Sequence, residues 1–145
     1  MTGQPEAADP GRIWASLRVL VHERYDRRKK VADALGMSFI RIKALRSLTS
    51  GPLTMRRLAT ELQTDAPYTT VVVDDLVRRG YVERTVDTAD RRVKIVQITP
   101  AGADVASRAN ALLDEPPEPL RDLPPEDLAA LDRIVATLLS EPPSK

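Results

Sequence analysis

Apolar residues fall at helical spacing along most of this chain, and only past its middle do they switch to the two-residue period of a strand. The first ten residues are polar with two prolines and are expected to form a disordered tail. Ile13, Leu17, Leu20 and Val21 then open a helical pattern that Gly36 ends, which predicts one long first helix over 11–36. Ser38 is placed to cap a second helix, with Met37 and Ile42 as a hydrophobic staple and Ile42, Leu45 and Leu48 on the buried side. Ser50-Gly51-Pro52 stops it. Thr54 caps a short third helix whose stripe is Leu58, Ala59 and Leu62, with Leu53 and Leu58 as a second staple.

Asp65 is the natural N-cap of a fourth helix over 66–79. Pro67 is tolerated in a first turn whose amides have no partner inside the helix, and Gly80 stands where a C-terminal cap belongs. Three successive valines would suit a strand, but the cap, the proline and the glycine favour helix. On a wheel of about 100° per residue, Thr69, Val72, Val73, Leu76 and Val77 share the core side. Pro67, Val71, Asp74, Asp75 and Arg78 then point outward, flanked by Tyr68 and Thr70. Val82, Arg84 and Val86 alternate with Glu83 and Thr85, and a β-branched run over 93–98 follows a polar tip, so the two pair as a hairpin. Thr99-Pro100 starts a fifth helix that reaches about Leu113, where Pro116, Pro117 and Pro119 end it. A last helix after Pro124-Pro125 carries Leu128, Leu131, Ile134, Val135, Leu138 and Leu139, an apolar side too wide for one neighbour.

The fold class is therefore mainly α with a small β-hairpin wing (α+β). Helix, turn, helix and hairpin in that order describe a winged helix-turn-helix, in which one helix is offered to a major groove and a basic loop to the adjacent minor groove or backbone.

With 145 residues, 42% of them hydrophobic, the chain suits one domain with one moderate core. No apolar run approaches the length of a membrane span, and MTGQPEAADP has neither the basic flank nor the apolar stretch of a signal peptide, so the expected location is cytoplasmic. The absence of cysteine excludes disulfides and thiolate sites, and with one histidine, His22, no metal site or cofactor is expected. Net charge is only +1, but residues 41–94 carry eleven basic against seven acidic side chains while 95–145 carry four against nine. The basic excess thus coincides with the winged segment.

Four stretches in this order resemble the MarR family of transcriptional regulators: Leu53-Thr54-Met55-Arg56-Arg57-Leu58-Ala59, the run from Val73 to Arg84, the tip from Asp87 to Arg92, and Ile98-Thr99-Pro100-Ala101-Gly102. The resemblance implies a homodimer in which the first, fifth and last helices interlock and two winged domains read a pseudo-palindromic operator. It divides the chain into a tail (1–10), a dimerisation helix (11–36), the winged helix-turn-helix (37–99), C-terminal dimerisation helices (100–141) and a frayed end (142–145). The function it implies is a ligand-responsive repressor bound to double-stranded DNA and, through it, nucleoid-associated. The other reading is a winged-helix module that binds protein instead of DNA. No catalytic set is present, so no enzyme is expected.

An arginine at a hairpin tip can enter the narrow, negative minor groove without a base-specific partner, and Arg92 is the first choice for that role, Arg91 the second. The resemblance suggests that Asp65 and Asp90 orient it. Base contacts are expected from Pro67, Tyr68, Thr70 and Val71, at the end of the fourth helix that enters the groove, with Tyr68 equally suited to packing on the preceding helix. Many relatives carry arginine where this chain has Val71, which leaves contact with thymine methyls in place of a bidentate guanine contact. Thr54, Arg56, Arg57, Arg84 and Lys43 are candidates for the phosphate backbone. The resemblance also implies a pocket for a small phenolic or anionic effector, with Trp14, His22, Tyr25, Met37 and Phe39 as candidate lining.

Overall fold

Asp26 divides the expected first helix. In the computed structural model, which describes residues 7–140 and 142, α1 (Pro10–Arg18) runs into a π-helical stretch, Val19–Arg24, that closes where the Tyr25 amide donates to the Leu20 carbonyl at 2.9 Å. Tyr25 then leaves helical geometry (φ −123°), and Asp26 caps a new helix, α2 (Arg27–Leu35), by accepting from the Arg28 amide at 2.9 Å. The carboxylate also takes two side-chain bonds from Arg28, which hold its pKa down to about 2. An acidic residue directly before a helical run is a start signal, and here it outweighs the continuity of the apolar pattern. The expected tail is shortened as well, because Asp9 caps α1 and Pro10 is its first residue. Residues 1–6 of that tail and most of the expected frayed end lie outside the described residues.

Gly36 ends α2 in the left-handed region (φ 66°), and α3 (Phe39–Leu48) follows with Ile42, Ala44, Leu45 and Leu48 buried. Ser38 occupies the capping position, yet its Oγ accepts no cap amide; it receives Arg41 Nη1 at 2.7 Å. Two residues, β1 (Leu53–Thr54), precede α4 (Met55–Leu62), whose cap is Thr54 Oγ1 accepting from the Arg57 amide at 3.0 Å. The turn into α5 (Ala66–Arg78) passes through Gln63, which holds a positive φ of 55°. Asp65 caps α5 at 2.7 Å from the Tyr68 amide, and Gly80 (φ 78°) turns the chain out of it.

The hairpin is β2 (Val82–Val86) and β3 (Lys94–Ile98), antiparallel, with Val82 opposite Ile98 and Arg84 opposite Val96. β1 adds to the other edge of β3, Leu53 opposite Val96, so the sheet order is β1-β3-β2. This third strand is too short to show any period in the sequence.

α6 (Pro100–Leu113) is capped by Thr99, whose hydroxyl accepts from the Gly102 amide at 3.1 Å and donates to the Gly80 carbonyl at 2.7 Å. Gly102 leaves no room for a side chain: a methyl group there would overlap the Tyr81 carbonyl oxygen. One core joins α2 to α6 through Val31, Leu45, Leu58, Val73, Leu76 and Ala106, all fully buried. Residues up to Asp114 form one compact unit. A second, from Glu115, holds α7 (Glu118–Arg121) and α8 (Pro125–Ser140), and no side chain of α8 is buried.

Candidate nucleic acid interface

α5 offers two chemically different faces. Thr69, Val72, Val73 and Leu76 are buried, and the Thr69 hydroxyl is satisfied by the Asp65 carbonyl at 2.8 Å. On the opposite side Pro67, Tyr68, Thr70 and Val71 are exposed, Val71 by 50%. This face holds hydroxyls, an aromatic ring and a β-branched methyl pair, and none of these four side chains is charged. Such a surface can lie against base edges and thymine methyls without the desolvation cost of a buried ion.

The C-terminal half of α5 is acidic, and its carboxylates are neutralised by arginines. Asp75 accepts from Arg41 Nε of α3 and from Arg79 Nε, each at 2.8 Å, and from Arg78 Nη2 at 3.2 Å. These bonds, Arg79 first, hold its pKa down to about 2 against the opposing effect of burial. Asp74 is ion-paired with Arg84 of β2. Arg84, expected from the sequence to bind phosphate, is paired in the fold with this carboxylate of α5.

The hairpin tip is a pair of side-chain-to-backbone turns. Asp87 Oδ1 accepts from the Ala89 amide at 2.8 Å, and Asp90 Oδ1 from the Arg92 amide at 3.1 Å. Asp90 also receives Arg92 Nε at 3.1 Å and Nη2 at 3.3 Å, a two-pronged contact that lowers the Asp90 pKa. The Arg92 side chain is nevertheless 92% exposed, so it is oriented by Asp90 while still facing solvent. Arg91 beside it is exposed. Asp65 takes no part in orienting Arg92: its carboxylate caps α5, because the first-turn amides of that helix are the nearer unsatisfied donors.

Thr54 uses its hydroxyl as a cap, and Arg57 Nε pairs with Glu61 at 3.2 Å. Lys43 is half-buried on α3. Arg56 is exposed at the rim of a cleft of about 350 Å³ between α4 and α5, lined also by Met55, Ala59, Ala66, Thr69 and Thr70. None of the five residues expected to line an effector pocket borders this cleft. Met37 is a core residue (6% exposed) and Phe39 packs against that core, because the turn from α2 into α3 folds both inward. Tyr25 is half-buried at the helix break, whereas Trp14 and His22 are exposed. Sequence reasoning missed Arg41 and the three-way contact at Asp75, which joins positions 34 residues apart.

A three-helix core, a two-residue strand and a hairpin hung beside the exposed face of α5 define a winged helix-turn-helix protein. Residues 35–93 match the model of the MarR family. That segment is similar to the MarR family, and the fold of the chain is that of solved winged-helix structures. Among solved structures, it is similar to a mutant of S. aureus MepR bound to an oligodeoxyribonucleotide (22% identity, 88% of this chain and 96% of that one, TM-score 0.67). It is also similar to wild-type MarR from E. coli in its apo form (23% identity, 92% and 98%, TM-score 0.73). The transcriptional regulator BldR from Sulfolobus solfataricus shares 26% identity over 90% of this chain and 99% of that one, with a TM-score of 0.62. No curated protein matches the sequence. Among the described residues, no helix is long and apolar enough to cross a membrane.

Proposed function

We propose that the protein is a homodimeric transcriptional regulator that reads double-stranded DNA, acting as a repressor at a pseudo-palindromic operator. The observation that carries the reading is the pairing of an uncharged, exposed face on α5 with a hairpin tip whose Arg92 is aimed by Asp90 yet almost wholly exposed. The first suits base edges in a major groove and the second a negative minor groove. Arg91, Arg56, Arg57 and Lys43 supply cations for phosphates on the same winged unit. The DNA-bound state of the MepR mutant, a protein of the same fold, supports the same use of this one.

Dimerisation is supported by apolar surface left open in a single chain. Trp14 and Val21 near the N-terminus are 66% and 60% exposed, and Leu138 and Leu139 of α8 are 61% and 80% exposed. Side chains of this size stabilise by roughly 1.5–3 kcal/mol each when buried, so a second copy is the natural cover. A two-fold protein predicts a two-fold site.

Binding to random duplex DNA across a salt series tests the reading. A DNA reader loses affinity steeply as salt rises, whereas a protein-binding module shows no association at any salt. Sedimentation tests the dimer: a full-length chain that runs as a folded monomer refutes the dimeric arrangement. Selection from a random duplex pool then identifies the operator.

A further inference from the structure

The Asp74–Arg84 ion pair joins the outward side of α5 to the centre of the hairpin. Asp74 lies three residues beyond Val71, one turn further along the side of α5 that faces DNA in the proposed function, and its side chain is 44% exposed. Left alone, that carboxylate would stand against a phosphate backbone. Arg84 meets it from β2 with its own side chain 33% exposed, so the guanidinium is engaged by Asp74 at the surface. Asp75, the neighbouring carboxylate, is neutralised separately by Arg41, Arg78 and Arg79.

We infer that Arg84 serves DNA binding through Asp74, as a positioning residue that masks an acidic group on the reading helix, and not as a phosphate anchor. This rests on the DNA-binding reading given above. Its consequence is an asymmetry that a simple phosphate contact does not produce: removing Arg84 harms binding only while Asp74 is present.

The test compares four full-length proteins, wild type, Arg84→Ala, Asp74→Ala and the double variant, by fluorescence anisotropy on the duplex that wild type selects, at several salt concentrations. Thermal melts confirm that each is folded, and Arg84→Gln takes the place of Arg84→Ala if the alanine variant is not. Arg84→Ala is expected to bind about tenfold more weakly, the size of one like-charge encounter at a partly screened surface. Asp74→Ala is expected to bind at least as well as wild type, and the double variant to recover to within about threefold of it. If Arg84 anchors phosphate, the double variant stays as weak as Arg84→Ala and both lose about one unit of salt slope, which overturns the inference. An Asp74→Ala protein as weak as Arg84→Ala overturns it too, since the pair would then act only as a mechanical tie. Wild type that binds no duplex at low salt overturns this inference together with the reading it rests on; wild-type binding without rescue overturns the inference alone.

Discussion

Arg41 on α3 donates through Nε to the Asp75 carboxylate on α5 at 2.8 Å, and its Nη1 reaches back to Ser38 Oγ at 2.7 Å. A single guanidinium thereby fixes the start of α3 and the far half of the reading helix to each other. The pair is largely shielded, with side chains 19% and 17% exposed, which sets it apart from the surface ion pairs of the hairpin.

Asp75 is held at a pKa of about 2 against an ordinary 3.8, so it is deprotonated more readily in the folded chain than in the unfolded one. The stability it contributes is complete above about pH 4 and is lost as pH falls toward 2. Asp75→Asn is expected to cost about 1–2 kcal/mol at neutral pH and to flatten the acid limb of the stability curve. Denaturant melts from pH 2 to 7 check this. Asp26, also held near 2, titrates in the same window, so the comparison is variant against wild type at each pH and not the slope alone.

Arg92→Ala should weaken binding to duplex DNA by roughly tenfold or more with the melting temperature unchanged, and by more than Arg91→Ala. Only Arg92 is aimed by a carboxylate. Asp90→Ala should reproduce part of the loss by releasing the arginine. Equal affinities for wild type and Arg92→Ala at physiological salt would remove the hairpin tip from the interface.

Val71 stands 50% exposed on the reading face, one helical turn from Pro67 and next to Thr70. Val71→Arg should change which operator is preferred more than whether DNA is bound, because a bidentate arginine–guanine contact is worth about 1–3 kcal/mol of discrimination. Selection from random duplexes should return a G·C pair gained at one symmetric position in each half-site. An unchanged site would mean that Val71 does not face the bases.

Gly102→Ala should lower stability by about 1–3 kcal/mol, since the added methyl overlaps the Tyr81 carbonyl oxygen and also crowds the Ile98 side chain. The backbone would have to part at the base of the hairpin, where Thr99 and Tyr81 are joined amide to carbonyl at 3.0 Å. Hydrogen exchange localised to that junction, together with a lower melting temperature, is the expected result.

α5 is legible in the sequence because every signal that marks it is local. Asp65, Pro67 and Gly80 lie at its two ends, and Val72, Val73 and Leu76 repeat at helical spacing between them. The hairpin is legible for the same reason, down to the turn residues Asp87 and Asp90. The break at Tyr25 is not, although Asp26 announces it, because apolar periodicity on either side reads as continuity. β1 has two residues and no period of its own; it exists only because β3 has a free edge beside it. Pairings such as Arg41 with Asp75 and Arg84 with Asp74 depend on where the folded elements meet, and nothing local distinguishes those charges from solvated ones. Of the five residues expected to line an effector pocket, Met37 lies in the core and Phe39 packs against it, a placement set by where α2 and α3 meet and not by any local signal.

Thr54 ends β1 and caps α4 at once, with its backbone in the sheet beside Ile95 and its hydroxyl on the Arg57 amide. The hairpin and the helix pair are therefore one continuous hydrogen-bonded frame, comparable to the fixed jaws of a gauge. Within one copy, the span between the reading face and the arginine tip is a constant of the fold. If two copies read one operator as proposed, half-sites at different separations have to be accommodated by the angle between the copies, so variation in spacing tolerance among relatives is to be sought in the helices outside the gauge and not in its jaws.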